Sequence, residues 1–220
     1  MVKLIPLKPL LVLLYGFPGS GKTFFARQIC ETLAATHVQS DRIRAELFET
    51  PGYGKDENHV VISLMNYMTG EFLSAGVSVV YDVNALRANQ RRALRNMATK
   101  MGAETVLIWL QIDPDTALNR VTKRDRRKLD DHYAQEFDRS SFEHQAAGMQ
   151  NPEVTERYLV ISGKHVFNTQ KSAFIRHLLE RNLVNLDPGA NQIGKPGLVN
   201  LVPNPRAGRV DLSRRNITIR

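Results

Sequence analysis

A single cysteine, Cys30, leaves the chain no internal disulfide. It falls on the apolar face of a predicted helix and reads as a packing residue, and the chain suits a reducing, cytoplasmic setting. Aromatic residues are sparse, with one tryptophan, Trp109. The six histidines (37, 59, 132, 144, 165, 177) show no metal-ligand spacing. No Ser-His-Asp arrangement stands out, which argues against a serine hydrolase. No stretch approaches the ~20 apolar residues of a membrane span, so no membrane role is expected. Lys3 and Lys8 precede the apolar run Leu10-Leu11-Val12-Leu13-Leu14. That run is too short for the core of a secretory leader, lacks a small-residue cleavage site and leads straight into a glycine loop. It therefore reads as a buried strand.

What is present is an ordinary globular composition, 42% apolar and 24% charged over 220 residues, enough for one domain and an appendage. Short apolar runs at Leu10–Tyr15, Val77–Tyr81 and Val106–Leu110 suit strands buried on both faces of a parallel sheet. His37–Gln39 and Tyr158–Ile161 are weaker strand candidates. Helical periodicity is expected over Gly21–Ala35, Asp41–Phe48, Glu57–Ser74, Asn89–Met101, Pro114–Arg126 and Ser172–Asn182, with Asp113-Pro114 as a cap followed by proline at the first helical position. This alternation predicts an α/β three-layer sandwich with a mostly parallel sheet, whose ligands bind beyond the carboxyl ends of the strands. The predicted domain spans residues 1–182. From 183 to 220, Asn, Pro, Gly and Arg dominate, and the segment reads as a basic, extended arm. Leu183-Val184-Asn185-Leu186-Asp187-Pro188 is echoed by Leu198-Val199-Asn200-Leu201-Val202-Pro203, compatible with two short strands.

The strongest motif is Gly16-Phe17-Pro18-Gly19-Ser20-Gly21-Lys22-Thr23, which matches the P-loop pattern at every fixed position, after a strand and before a helix. Glycines let backbone N–H groups turn inward around phosphates, and the helix beginning there adds its positive dipole end. Lys22 is placed to reach the β- and γ-phosphates of ATP, and Thr23 offers its hydroxyl to Mg²⁺. Gly16, Pro18, Gly19, Ser20, Gly21, Lys22 and Thr23, with Phe24 after them, form the candidate nucleotide-binding set. No Asn-Lys-x-Asp signature marks a GTPase, no strand ends in Asp-Glu as in motor ATPases, and no Leu-Ser-Gly-Gly signature marks a transporter ATPase. The small-kinase branch remains.

Three further features bear on that reading. Ser40-Asp41-Arg42-Ile43-Arg44 follows the weak second strand; if that strand neighbours the first, Asp41 lies beside the P-loop and could take the proton of an attacking hydroxyl. Arg44, one helical turn on, could hold the acceptor, although a helix cap and a solvated arginine explain the same residues. Asp82 ends the run Val77–Tyr81, where it could orient Mg²⁺-bound water or cap the next segment. Arg120, Lys123, Arg124, Arg126, Arg127 and Lys128 place six cations in nine residues. On one helix, Arg120 and Arg124 would share a face and form a lid over transferring phosphate. Arg87, Arg91 and Arg95 recur every four residues; the stripe could bind an acidic acceptor but reads first as a solvated helix face.

The P-loop, Asp41-x-x-Arg44, Asp82 and Arg120-x-x-x-Arg124 together resemble the P-loop kinases that include polynucleotide kinase, with related AAA-type predicted kinases, chloramphenicol phosphotransferase and zeta toxin as relatives. The resemblance covers roughly residues 9 to 180. It implies ATP and Mg²⁺ as cofactors, Asp41 as general base, Arg44 on the acceptor, and Arg120 and Arg124 closing over the phosphates, so that Lys22, Asp41, Arg44, Arg120 and Arg124 form the catalytic set. The implied reaction is transfer of the γ-phosphate to an acceptor hydroxyl, most simply the 5′-hydroxyl of a nucleic acid or nucleotide. A small-molecule hydroxyl, or an ATPase serving RNA or a protein partner, are the alternatives. The net charge of +8 favours an anionic partner. Six Lys/Arg against two Asp place half of that charge in residues 183–220, an arm that could also bridge two protomers.

Overall fold

The computed structural model describes residues 4–83, 87–125, 127–128 and 131–186. The strand echo at 198–203 and the role of the basic arm beyond residue 186 lie outside the described residues.

Five parallel strands form the central sheet: β2 (Leu10–Tyr15), β3 (Thr36–Gln39), β4 (Val79–Asp82), β5 (Glu104–Gln111) and β6 (Tyr158–Ser162), in the order β3-β4-β2-β5-β6. Every residue of β2 is buried, and alternate side chains serve opposite faces. Leu10, Val12 and Leu14 pack with Phe25, Ile29, Phe174 and Leu178, from α1 (Lys22–Leu33) and α7 (Phe167–Glu180). Leu11, Leu13 and Tyr15 pack with Val61, Met65, Leu94 and Ala98, from α3 (Lys55–Ser74) and α4 (Ala88–Lys100). At about 1.5–3 kcal/mol for each fully buried large side chain, β2 is the strand on which both layers depend. The result is the expected three-layer α/β sandwich.

The remaining helices gather at the carboxyl ends of the strands: α2 (Ser40–Leu47), α5 (Pro114–Thr122) and α6 (Arg139–Ala147). The Asp113 carboxylate caps α5 by accepting from the Thr116 amide at 2.8 Å, with proline at the first helical position as predicted. Phe17 packs beside the small cluster of Ile112, Ala117, Val121, Phe137 and Phe142 that joins α5 to α6.

Four expectations are corrected. First, β3 is not the neighbour of β2; β4 lies between them, with Gln39 in register with Asp82 and Leu13 with Tyr81. The aspartate on the strand beside the P-loop strand is therefore Asp82. Second, α5 ends at Thr122, not at 126. Arg120 and Arg124 do not share a helical face; leaving the helix relieves like-charge crowding and lets Arg124 donate to the Gln135 carbonyl at 3.0 Å and approach Asp131 at 3.6 Å. Third, the Arg87-Arg91-Arg95 stripe is solvated only in part, with Arg87 exposed and Arg95 partly so. Arg91 is fully buried, donating to both Glu156 oxygens at 2.8 and 2.6 Å and to the Gln150 carbonyl at 2.9 Å, and lies 5.2 Å over the Tyr15 ring. Fourth, the last helix starts at Phe167, five residues earlier than its periodicity suggests, and α6 is an additional element. The beginning of the predicted arm also has a place: β7 (Val184–Leu186) pairs antiparallel with β1 (Leu4–Pro6) in a separate two-stranded sheet.

Candidate functional site

The P-loop follows from local backbone chemistry. β2 ends at Tyr15, and the chain must reverse into α1 within six residues. Gly19 adopts φ +82°, and a β-carbon there would stand 2.5 Å from the Ala117 carbonyl oxygen. Gly21 takes φ 95° just before α1. These positions suit residues without side chains. Lys22 is buried and donates to the Gly16 and Phe17 carbonyls at 2.8 and 2.9 Å. Burial, reinforced by Arg124 and opposed by Asp82 and Asp41, brings its ammonium pKa down to about 8.

Asp82 stands at the end of β4, 4% exposed. Its Oδ2 lies 3.2 Å from His37 Nε2. Burial pushes its carboxyl up, but His37, Lys22 and a hydrogen bond with the Thr23 side chain outweigh burial and hold it below the ordinary carboxylate value. Thr23 and Asp82 thus pair two hard oxygen donors at the mouth of the P-loop. No group of three or more His, Cys, Asp or Glu among the described residues could hold a metal ion. This donor set fits Mg²⁺, which typically takes one or two protein oxygens and completes its shell with water and substrate phosphate. When bound, that ion would supply charge neutralisation at the phosphates. The Ser20 hydroxyl is buried without a protein partner, as suits a group facing a phosphate-binding loop.

A cavity of about 560 Å³ opens over the loop. It is lined by Gly19 to Phe24, by Asp41, by Arg120, Lys123 and Arg124 at and beyond the end of α5, and by Gly163, Lys164, His165 and Gln170 after β6. Of the proposed nucleotide-binding residues, Gly16 and Pro18 are buried and do not line the cavity. Phe24 is 40% exposed and meets Phe167 edge-on at 6.0 Å. Arg120 donates to the Gly163 carbonyl at 2.9 Å, and burial lowers the pKa of Arg124. The two arginines reach one cavity despite leaving a common helical face.

Gly163 was not singled out from sequence. A β-carbon there would stand 2.5 Å from the Ser20 carbonyl oxygen, so the turn after β6 presses directly on the P-loop. A glycine immediately after a predicted parallel strand was the available signal.

A second cavity, of about 1,220 Å³, lies between α2, α3, the start of α4 and α6. Asp41 lines both cavities, and among the described residues no other is shared. It sits in the first turn of α2, whose N-cap is Gln39, so neither Ser40 nor Asp41 caps that helix. Arg44 lines the second cavity and is buried, paired with Glu57, donating to Asn58 Oδ1 at 2.6 Å and lying 4.5 Å over the Tyr53 ring. Its Nε is buried without a partner. The sequence did not reveal Tyr53, Glu57 and Asn58 as partners of Arg44, because their convergence depends on how α2 packs against α3.

Sheet order, P-loop and the cavity over it match the architecture of a P-loop NTPase. The profile of the AAA domain family matches residues 11–152, and the chain belongs to that family. The sulfate adenylyltransferase of Neosartorya fischeri is 27% identical over 124 residues, covering 54% of this chain and 21% of that protein. This chain thus spans about a fifth of the length of the curated relatives it matches. Among solved structures, a gluconokinase from Sinorhizobium meliloti aligns with TM-score 0.57 at 17% identity, covering 79% of this chain and 93% of that one. The Mycobacterium tuberculosis APS kinase CysC in complex with AMPPNP and APS gives TM-score 0.59 at 17% identity, covering 80% and 99%. A Pnkp1/Rnl/Hen1 RNA repair complex gives TM-score 0.54 at 19% identity, covering 64% and 43%. These structural likenesses show the fold. No helix among the described residues is long and apolar enough to cross a membrane.

Proposed function

We propose that the protein transfers the γ-phosphate of ATP to the 5′-hydroxyl of a nucleic acid or nucleotide. The observation that carries this reading is the position of Asp41, the one residue lining both cavities. A donor held by the P-loop and Lys22 and an acceptor in the larger cavity meet at its carboxylate. Asp41 accepts the hydroxyl proton as the new O–P bond forms and the β–γ bridge breaks, with ADP as leaving group. Thr23 and Asp82 would hold Mg²⁺, which would supply charge neutralisation at the phosphates, and Arg120 and Arg124 neutralise charge on the transferring phosphoryl group.

The choice of acceptor rests on charge. Among the described residues lining the larger cavity, Lys55 and Arg87 are cations beside the Glu57-paired Arg44, and Asp41 is the one acid. That balance suits an acceptor already carrying phosphate. The test is incubation with γ-labelled ATP, Mg²⁺ and 5′-hydroxyl RNA or DNA, beside Lys22→Ala and Asp41→Asn. Label on the oligonucleotide that is lost in both variants supports the reading. Label appearing only on a small polyol or sugar, the acceptor class of the gluconokinase sharing this fold, overturns the nucleic-acid assignment. Label released only as free phosphate overturns the kinase.

A further inference from the structure

Next to the larger cavity lies a smaller one of about 130 Å³, between α3 and α4. Ile62 and Gln90 line both, so the two cavities are adjacent and share a wall. Its walls are otherwise Tyr81, Ala93, Leu94, Met97 and Asn66. Such a wall favours a flat apolar group and penalises a hydroxylated one, which would lose its hydrogen bonds to water there.

Two amides break the apolar lining, and both present donors. Asn66 Oδ1 accepts from the Tyr81 hydroxyl at 3.0 Å, which leaves the Asn66 NH₂ group as the donor this lining residue can offer. Gln90 Oε1 accepts from the Arg87 amide at 2.9 Å, leaving the Gln90 NH₂ group likewise. Two NH₂ donors at the edge of an apolar slot are complementary to ring carbonyl oxygens. A ring of this chemistry, a hydroxyl at Asp41 and an anion near Lys55 and Arg87 are the parts of one nucleoside-containing acceptor.

We infer that the pocket between α3 and α4 is a base subsite, taking a carbonyl-bearing nucleobase of the acceptor while its sugar hydroxyl faces Asp41. The inference rests on the kinase reading for its biological sense, but binding to the pocket is measurable without turnover. The probes are uridine and ribose, the same sugar with and without the ring, titrated calorimetrically into protein saturated with AMPPNP and Mg²⁺. Ala93→Phe fills the slot from an exposed helical position and leaves the ATP cavity untouched.

Uridine is expected to bind the wild type at least about tenfold tighter than ribose, and to lose about tenfold in Ala93→Phe, with AMPPNP affinity unchanged. No measurable uridine binding, equal affinity for the two probes, or uridine affinity indifferent to Ala93→Phe would each overturn the subsite. A parallel assay of label transfer to a 5′-hydroxyl oligonucleotide separates the two claims. Pocket-dependent uridine binding without transfer removes the kinase reading and keeps the subsite. Transfer whose KM for the oligonucleotide is unmoved by Ala93→Phe keeps the kinase and removes the subsite.

Discussion

The two large cavities are built from different materials. The one over the P-loop is shaped by backbone: glycine conformations, the end of β2, the start of α1 and the turn after β6 that presses on Ser20. The other is shaped by side chains brought together from α2, α3, α4 and α6. The first needs certain residues at certain spacings in one short segment, whereas the second needs only that several helices converge with suitable surfaces. The two buried arginines show the same contrast. Arg91 is enclosed by Glu156, the Gln150 carbonyl and the Tyr15 ring, and holds the fold together. Arg44 is equally buried but faces a cavity with its Nε unpartnered, an arrangement more expected of a group that meets a ligand.

Substitutions can break this contrast at several points. The largest effect is expected at Asp41: Asp41→Asn should cut transfer by about 10²–10⁴ while ATP affinity stays within a few-fold, read by single-turnover transfer and nucleotide titration. Equal losses in both would make Asp41 part of the ATP site instead. Gly163→Ala comes next. Its β-carbon meets backbone, not a flexible side chain, so the P-loop must shift, and ATP affinity is expected to fall about 10–10²-fold with little change in the affinity for acceptor. Glu156→Gln tests the framework: a buried arginine stripped of its carboxylate costs about 3–5 kcal/mol, seen as a lower denaturation midpoint.

The same pair carries a pH signature. The Arg91 hydrogen bonds hold the Glu156 pKa at about 2, below its unfolded value. The stabilisation is therefore complete above the unfolded carboxyl pKa and is lost as pH falls from there toward about 2, a slope that Glu156→Gln should flatten in acid unfolding curves. The smallest effect concerns Lys22. With its pKa at about 8 when buried, ATP affinity should weaken as pH rises above 8 and the ammonium loses its proton. Lys22→Arg should remove that dependence in a titration series from pH 7 to about 9.5.

This division of materials also explains what could be read in advance. The sheet, α1 and the phosphate loop follow from contiguous signals: apolar runs, a glycine pattern and a proline-marked helix start. The order of the strands does not, because neither run marks its neighbour, although the more apolar Val77–Tyr81 is the one that lies against β2. Asp41 was picked out from its neighbour relation to the P-loop, and that relation is wrong for the strand before it, yet α2 still delivers the carboxylate to the cavity. The arginine stripe on α4 was misread because Glu156, its partner, lies 65 positions away. Nothing local marks such a pair. Arg120 and Arg124 were legible as cations near phosphate but not as residues of a helix end and the loop beyond it, since the switch depends on Asp131 and Gln135 further along.

Two cavities that meet at one carboxylate can be altered separately. Replacements on α3, α4 or α6 can alter which molecule is admitted while leaving the glycine loop and its lysine undisturbed, so descendants of such a protein can change diet without relearning how to handle ATP. The converse path is narrow, because the turn after β6 touches the loop and a single methyl group there is felt by both. Over generations, diversity should accumulate on the helical side of Asp41 and be purged on the other.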